Sequence, residues 1–193
     1  MSTTKALAVV AISHQRAPLA VLEQVNLNAE GCNTLARTLT GLVGVSEAVV
    51  LSTCNRTELY IAGSAPDPAA AVSALVAHVG AAPGSLDAYA RHASDQNVAL
   101  HLFRVAAGLE SRVSGEREIL GQVRSAITVA RAAGTVGSHL DCMFRSAIAV
   151  GRRAQQTDHG GGPSQWPQLG LDAAYGDDPD TVGLTVVMGA GQM

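Results

Sequence analysis

The chain has 193 residues and a formal net charge of −3. Hydrophobic residues make up 47% and charged residues 15%, which excludes a charged disordered tail and allows one well-buried domain, with a fragment of another. No apolar run approaches the ~20 residues of a membrane helix, and the N-terminus carries no secretory pattern, so a cytoplasmic protein is expected. The run Ala6 to Ile12 reads as a buried strand. Leu35, Leu39, Leu42 and Val43 follow at helical spacing, with Gly44 as the expected C-cap. Glu47 to Leu51 and Thr57 to Ala62 read as two strands joined tightly through Ser52–Arg56. Pro68 sets the first turn of a helix carrying Val72, Leu75, Val76 and Val79, and Leu86 to Arg91 reads as a fourth strand. This β-α-β-β-α-β order predicts an α+β class with a ferredoxin-like arrangement.

Three helices are expected next. Asp95 would cap the first, through Val98, Leu102 and Val105 to about Gly108. The second carries Ile119, Leu120, Val123, Ile127 and Ala130 and closes at Gly134. The third runs from Leu140 to Ala154. Residues 159–181 then have turn and linker composition. Val182 to Met188 reads as a last strand, followed by Gly189, Ala190, Gly191, Gln192 and Met193. A glycine pair just after a strand is where a dinucleotide-binding loop would begin, so the expected organisation is 1–158, a linker over 159–181, and the start of a Rossmann-type unit over 182–193.

Charge is unevenly spread. Between Ser111 and Arg153 stand seven arginines against Glu116, Glu118 and Asp141, whereas residues 154–193 hold five aspartates and no Lys or Arg. The basic stretch is either a solvated helix surface or a phosphate-contacting one. Cys32, Cys54 and Cys142 are too few and too scattered for a disulfide framework or zinc site, and no metal is expected. Cys32 and Cys142 have helical, apolar surroundings and read as small buried hydrophobes. Cys54 differs, because it lies in the connection between two strands with Arg56 two positions on. A thiol there is presentable to a substrate, and a nearby guanidinium favours the thiolate, the form that attacks activated carbonyls. A buried structural cysteine is the alternative. His101 and His92 are candidates for a base or orienting group beside it.

The segment Ser52-Thr-Cys-Asn-Arg-Thr-Glu-Leu-Tyr60 resembles the active-site signature of the glutamyl-tRNA reductases. Ile12-Ser-His-Gln-Arg-Ala-Pro18 resembles that family's N-terminal motif. His101 to Ser111, continuing through Gly115-Glu116 and Ile119-Leu-Gly-Gln-Val123, resembles its longest one. The resemblance implies that Cys54 attacks the ester carbonyl joining glutamate to tRNA(Glu), and that NADPH then reduces the thioester to glutamate-1-semialdehyde for tetrapyrrole synthesis. It makes Cys54 and His101 catalytic. It makes Thr53, Cys54, Asn55, Arg56, Ser111, Glu116, Arg117, Glu118 and Gln122 substrate-binding, with Arg56 suited to a bidentate hold on a carboxylate. Residues Gly189–Met193 would begin the NADPH site. A homodimer and a downstream glutamate-1-semialdehyde aminomutase are implied as partners, with no membrane.

The chain departs from the pattern at Arg112, where the family has an apolar residue, at Arg117-Glu118, where it often has Pro-Gln, and over Gly160–Gln168. With so little of the cofactor unit in the sequence, thioester formation and slow hydrolysis are expected of it without reduction. A ferredoxin-like binding module and a thiol hydrolase using Cys54 and His101 are the competing readings. If the basic stretch meets tRNA phosphates, neutralising Arg152 and Arg153 is expected to weaken tRNA binding and flatten its salt dependence in a titration from low to high salt.

Overall fold

The apolar run that opens the sequence forms a strand because both of its faces are covered. A computed structural model describes residues 5–111 and 118–157. The elements are β1 (Ala6–Ser13), α1 (Leu19–Val25), α2 (Ala29–Thr40), β2 (Glu47–Thr53), β3 (Arg56–Gly63), α3 (Pro68–His78), β4 (Arg91–Ser94), α4 (Gln96–Ala106), α5 (Glu118–Ala133) and α6 (Ser138–Thr157). The four strands make one sheet in the order β2-β3-β1-β4, with every neighbouring pair antiparallel. Among the described residues the result is an α+β architecture of a four-stranded antiparallel sheet and six helices. The expected linker over 159–181, the strand over 182–188 and Gly189–Met193 lie outside the described residues. No helix among the described residues is long and apolar enough to cross a membrane.

Strand side chains alternate between the two faces, and this divides the core in two. Ala8, Val10, Ile12, Val50, Leu59 and Ile61 pack with Leu35, Leu39 and Leu75 from α2 and α3. Val9, Val49, Leu51 and Tyr60 pack with Leu102, Val123, Ile127 and Phe144 from α4, α5 and α6. Helices on both faces explain why β1 reads as a continuous apolar run instead of an alternating one.

The β2 edge is sealed by the connection between α5 and α6. Ala48 N donates to Thr135 O at 2.8 Å, and Thr135 Oγ1 donates to Ala48 O at 2.9 Å. Beside it Glu47, with no exposed surface, accepts from Lys5 Nζ at 2.8 Å and from Leu140 N at 2.9 Å. Burial pushes the Glu47 carboxyl up, but Lys5 and the N–H groups of α6 outweigh it and hold it below the usual range. A carboxylate at a helix N-terminus accepts donors that have no partner within the helix.

Four expectations are corrected. Leu86–Ala90 is a turn, not a strand: Ala90 N donates to Leu86 O at 3.1 Å, Leu86 plugs the core at 1% exposure, and the strand starts at Arg91. The turn follows Gly84, which has φ +77°. Asp95 occupies the N-cap position of α4 but makes no side-chain cap bond, and its φ is +53°. Its N–H is drawn to Leu7 O at 3.0 Å, so its backbone carries the β1–β4 ladder past Ser94 in a conformation uncommon for a non-glycine residue. The helix before β2 stops at Thr40, with Gly41 as its C-cap. Cys142 is exposed on α6. In addition, α1 is a helix that the sequence reading did not place.

Two glycines offer a test of packing. A Cβ on Gly63 would lie 1.9 Å from Gly44 O, backbone against backbone, whereas one on Gly121 would meet nothing within 4 Å. Gly63→Ala is expected to destabilise by about 2–3 kcal/mol through overpacking. Gly121→Ala, inside α5, should stabilise by about 0.5–1 kcal/mol. Urea unfolding of the two variants checks both signs.

Candidate active site

Thr53 and Arg56 pair as the last residues of β2 and the first of β3, leaving Cys54 and Asn55 as a two-residue turn. Such turns favour positive φ, yet Asp95 is the only non-glycine residue with positive φ among those described. The Cys54–Asn55 turn is held by other contacts. Asn55 N donates to Thr53 Oγ1 at 3.2 Å, and His14 N donates to Asn55 O at 3.0 Å, carrying the β1–β3 ladder past the end of β1. The Cys54 side chain is exposed at the tip.

Both faces of this hairpin are anchored. On one, Ser52 and Thr57 share a hydroxyl hydrogen bond of 2.9 Å. Thr57 Oγ1 donates to Val25 O at 2.8 Å, and Leu27 N donates to Ser52 Oγ at 2.9 Å, so the end of α1 is tied to the hairpin base. On the other, Arg56, Glu58 and Tyr60 lie at every second position of β3 and share a face. Glu58 has no exposed surface. Its Oε1 accepts from Arg56 Nη1 at 2.8 Å, and its Oε2 accepts from the Tyr60 hydroxyl. His101 Nε2 from α4 lies 3.1 Å from Glu58 Oε1, within ion-pair reach but out of line for a directed hydrogen bond, and this buried nitrogen has no hydrogen-bond partner among the described residues. The His101 ring stacks on Tyr60 at 6.4 Å, and Tyr60 meets Phe144 edge-on at 5.2 Å.

Burial alone pushes the Glu58 carboxyl up, but His101, Arg56 and Tyr60 together outweigh it and bring it down to about 2. The same burial, with the Glu58 charge beside it, pushes the Tyr60 phenol well above its ordinary value. Arg56 is 3% exposed. Besides Glu58 it donates through Nη2 to the Glu110 carbonyl. The guanidinium expected to grip a carboxylate thus has Nη1 and Nη2 bonded within the protein, and it lines two concavities, one on each side.

The first is a crevice of about 10 Å³, room for about one water, lined by Thr53, Cys54, Asn55, Arg56, Ser111 and Gln122, with Ile119. Cys54 and five other expected site residues therefore line one crevice. Glu118 is exposed at the start of α5, and Glu116 and Arg117 lie outside the described residues. The second concavity, of about 470 Å³, lies between β1, β4 and α4 and includes His92 and His101. Glu110 on its wall accepts from Arg104 Nε at 2.6 Å and Gln15 Nε2 at 2.7 Å. Burial raises the Glu110 carboxyl, but these donors hold it below its ordinary value. Glu58, Tyr60 and Glu110 lie inside the recognised motifs but were not named as site residues from the sequence. The available signal was a polar trio at period two inside an otherwise apolar strand. The remaining cysteines differ in access: Cys32 is buried, which pushes its thiol to about 11, while Cys142 is exposed.

Known proteins share this arrangement of sequence and fold. Residues 10–157 match the family described as glutamyl-tRNAGlu reductase, N-terminal domain. The chain is 43% identical over 186 residues to the glutamyl-tRNA reductase of Thermus thermophilus, covering 95% of this chain and 44% of that protein. It is 44% identical over 147 residues to the one from Xanthomonas campestris, covering 76% and 33%. The solved glutamyl-tRNA reductase of Methanopyrus kandleri superposes with a TM-score of 0.68 at 31% identity, over 88% of this chain and 40% of that one. The chain thus spans less than half the length of these relatives.

Glu58→Gln tests the buried network. It leaves Arg56 without its counter-charge and should destabilise by about 3–5 kcal/mol. Glu58 has a lowered folded-state pKa, so its contribution is complete above the unfolded value of about 4.3 and is lost as pH falls toward about 2. Stability measured from pH 5 to pH 2 is expected to fall less steeply in Glu58→Gln than in the parent protein.

Proposed function

The chain belongs to the glutamyl-tRNA reductase family, as its N-terminal domain, and from that premise we propose that Cys54 is the acyl acceptor for glutamyl-tRNA(Glu). The observation that carries the reading is the exposed thiol at the tip of a hairpin tied down on both faces, with Thr53, Asn55, Arg56, Ser111 and Gln122 around it. The antiparallel order β2-β3-β1-β4 supports a ferredoxin-like arrangement for the domain.

In the proposed step the Cys54 thiolate attacks the glutamyl ester carbonyl. A carbon–sulfur bond forms, the bond from carbon to the ribose oxygen breaks, and that oxygen takes up a proton, leaving a thioester and free tRNA. His101 is the group proposed to deliver the proton. Glu58 fixes where its ring sits, as a buried carboxylate orients an imidazole in other acyl-transfer sites. Thr53, Asn55, Ser111 and Gln122 supply neutral donors and acceptors at the rim, and Arg56 supplies positive charge between the two concavities.

NADPH, the family's reductant, would supply the hydride for conversion of the thioester to glutamate-1-semialdehyde, the entry to tetrapyrrole synthesis. The residues proposed to begin its site, Gly189–Met193, lie outside the described residues, and the steps derived from this domain stop at the thioester. The cytoplasm, where charged tRNA is available, is the proposed location. Homodimer formation and transfer of the aldehyde to an aminomutase belong to the same proposal for the whole protein.

Mixing the chain with glutamyl-tRNA should release about one equivalent of tRNA per Cys54 in a burst, and mass spectrometry should find glutamate on the Cys54 peptide. Cys54→Ser should show neither, and an unchanged burst in that variant defeats the reading. Iodoacetamide at neutral pH is expected to label Cys54 well before Cys32.

A further inference from the structure

The 470 Å³ cavity is larger than anything the thiol step uses, and its size falls within the range of small-ligand sites. Its floor is the alternating face of β1, through Val9, Ala11 and Ser13. Its charges are not all matched. Arg56 is paired with Glu58, and Arg104 with Glu110. Arg91, exposed on the edge strand β4, makes only a 3.3 Å contact with the amide oxygen of Gln15, and no salt bridge to a carboxylate is found for it among the described residues. Opposite it on α4 stands Leu100, 56% exposed. An unmatched guanidinium facing bare aliphatic surface suits a ligand with an anionic group next to a flat apolar one.

The position of the cavity says which ligand. Arg56 lines both the cavity and the Cys54 crevice, while Glu110 and Ser111, adjacent in the chain, line one each. An acyl group held at the thiol therefore has its ester partner next to this shared wall. In an aminoacyl-tRNA that partner is the ribose of the terminal adenosine, followed by its 5′-phosphate.

We propose that the cavity between β1, β4 and α4 seats the terminal nucleotide of the tRNA, with Arg91 on its phosphate and Leu100 against the ribose and base. The proposal rests on Cys54 being the acyl acceptor, and it gives Arg91 and Leu100 a substrate-binding role that acts only on the nucleotide half.

The test uses the 193-residue chain with two acyl donors carrying the same glutamyl group, glutamyl-tRNA and the α-p-nitrophenyl ester of glutamate, and with adenosine 5′-monophosphate as a direct probe. Arg91→Glu is expected to slow acylation by glutamyl-tRNA ten-fold or more and to abolish measurable binding of the monophosphate. Acylation by the small ester should stay within two-fold. Arg91→Lys should recover part of the tRNA rate, and Leu100→Ala should weaken the monophosphate without altering the small-ester rate. Equal losses with both donors, no loss with either, or monophosphate binding unchanged by Arg91→Glu would overturn the proposal. If the parent chain is acylated by neither donor, the reading of Cys54 fails instead, and monophosphate binding that depends on Arg91 still upholds the nucleotide seat. Circular dichroism of the Arg91 variants checks that the exposed edge strand has folded.

Discussion

A carboxylate without exposed surface needs partners, and around Glu58 those partners organise the site. An unpaired buried carboxylate would take up a proton instead of keeping its charge. Here Arg56 supplies the counter-charge, Tyr60 a hydroxyl donor and His101 a second basic group. Two of the three come from β3 itself, so they form as soon as the strand does. His101 must come from α4, which makes the placement of that helix against the sheet part of the same electrostatic requirement. The edge-on contact between Tyr60 and Phe144 of α6 extends the requirement to a second helix.

The two faces of the Cys54 hairpin are held by different chemistry. The Ser52–Thr57 face uses neutral hydroxyls bonded to backbone groups at the end of α1. The Arg56–Glu58 face uses charges. Neutral bonds of this kind keep their strength across pH and salt, whereas the charged side is sensitive to acid. Acid should therefore loosen the side facing His101 and the cavity before it loosens the side facing α1. A similar logic holds at the other end of β2, where Glu47 ties Lys5, the sheet edge and the first turn of α6 together.

What could be read from the sequence follows from the range of the forces involved. β1 and β2 were legible because burial on both faces leaves mainly apolar runs, and β3 because its apolar second half, Leu59 to Ala62, follows a tight turn. The turn Thr53–Arg56 was legible because its residues are contiguous in the chain and lie between two recognisable strands. β4 was misplaced because Leu86 looks like a strand residue when only its hydrophobicity is known, while the turn after Gly84 makes it a core plug. Asp95 was expected to cap α4 through its side chain, but the pull of Leu7 O on its backbone is a tertiary effect. α1 has only seven residues, too few to show a clear period. The pairing of Glu58 with His101 spans forty-three positions, and the Arg56 contact with the Glu110 carbonyl spans fifty-four. Local pattern carries no trace of either. The family motifs named residues that line one crevice, without revealing that Arg56 is already bonded inside the protein.

The tie-down of the hairpin has a thermodynamic consequence. A reactive group on a free loop must be ordered when its substrate arrives, and fixing each residue's backbone costs about 1–2 kcal/mol. The Cys54 backbone is ordered when the sheet forms, because both neighbours of the turn are strand residues in register and Asn55 is bonded to His14. The entropy of placing the sulfur is thus met during folding, and in the proposed reaction little of it is left to subtract from the binding of the substrate.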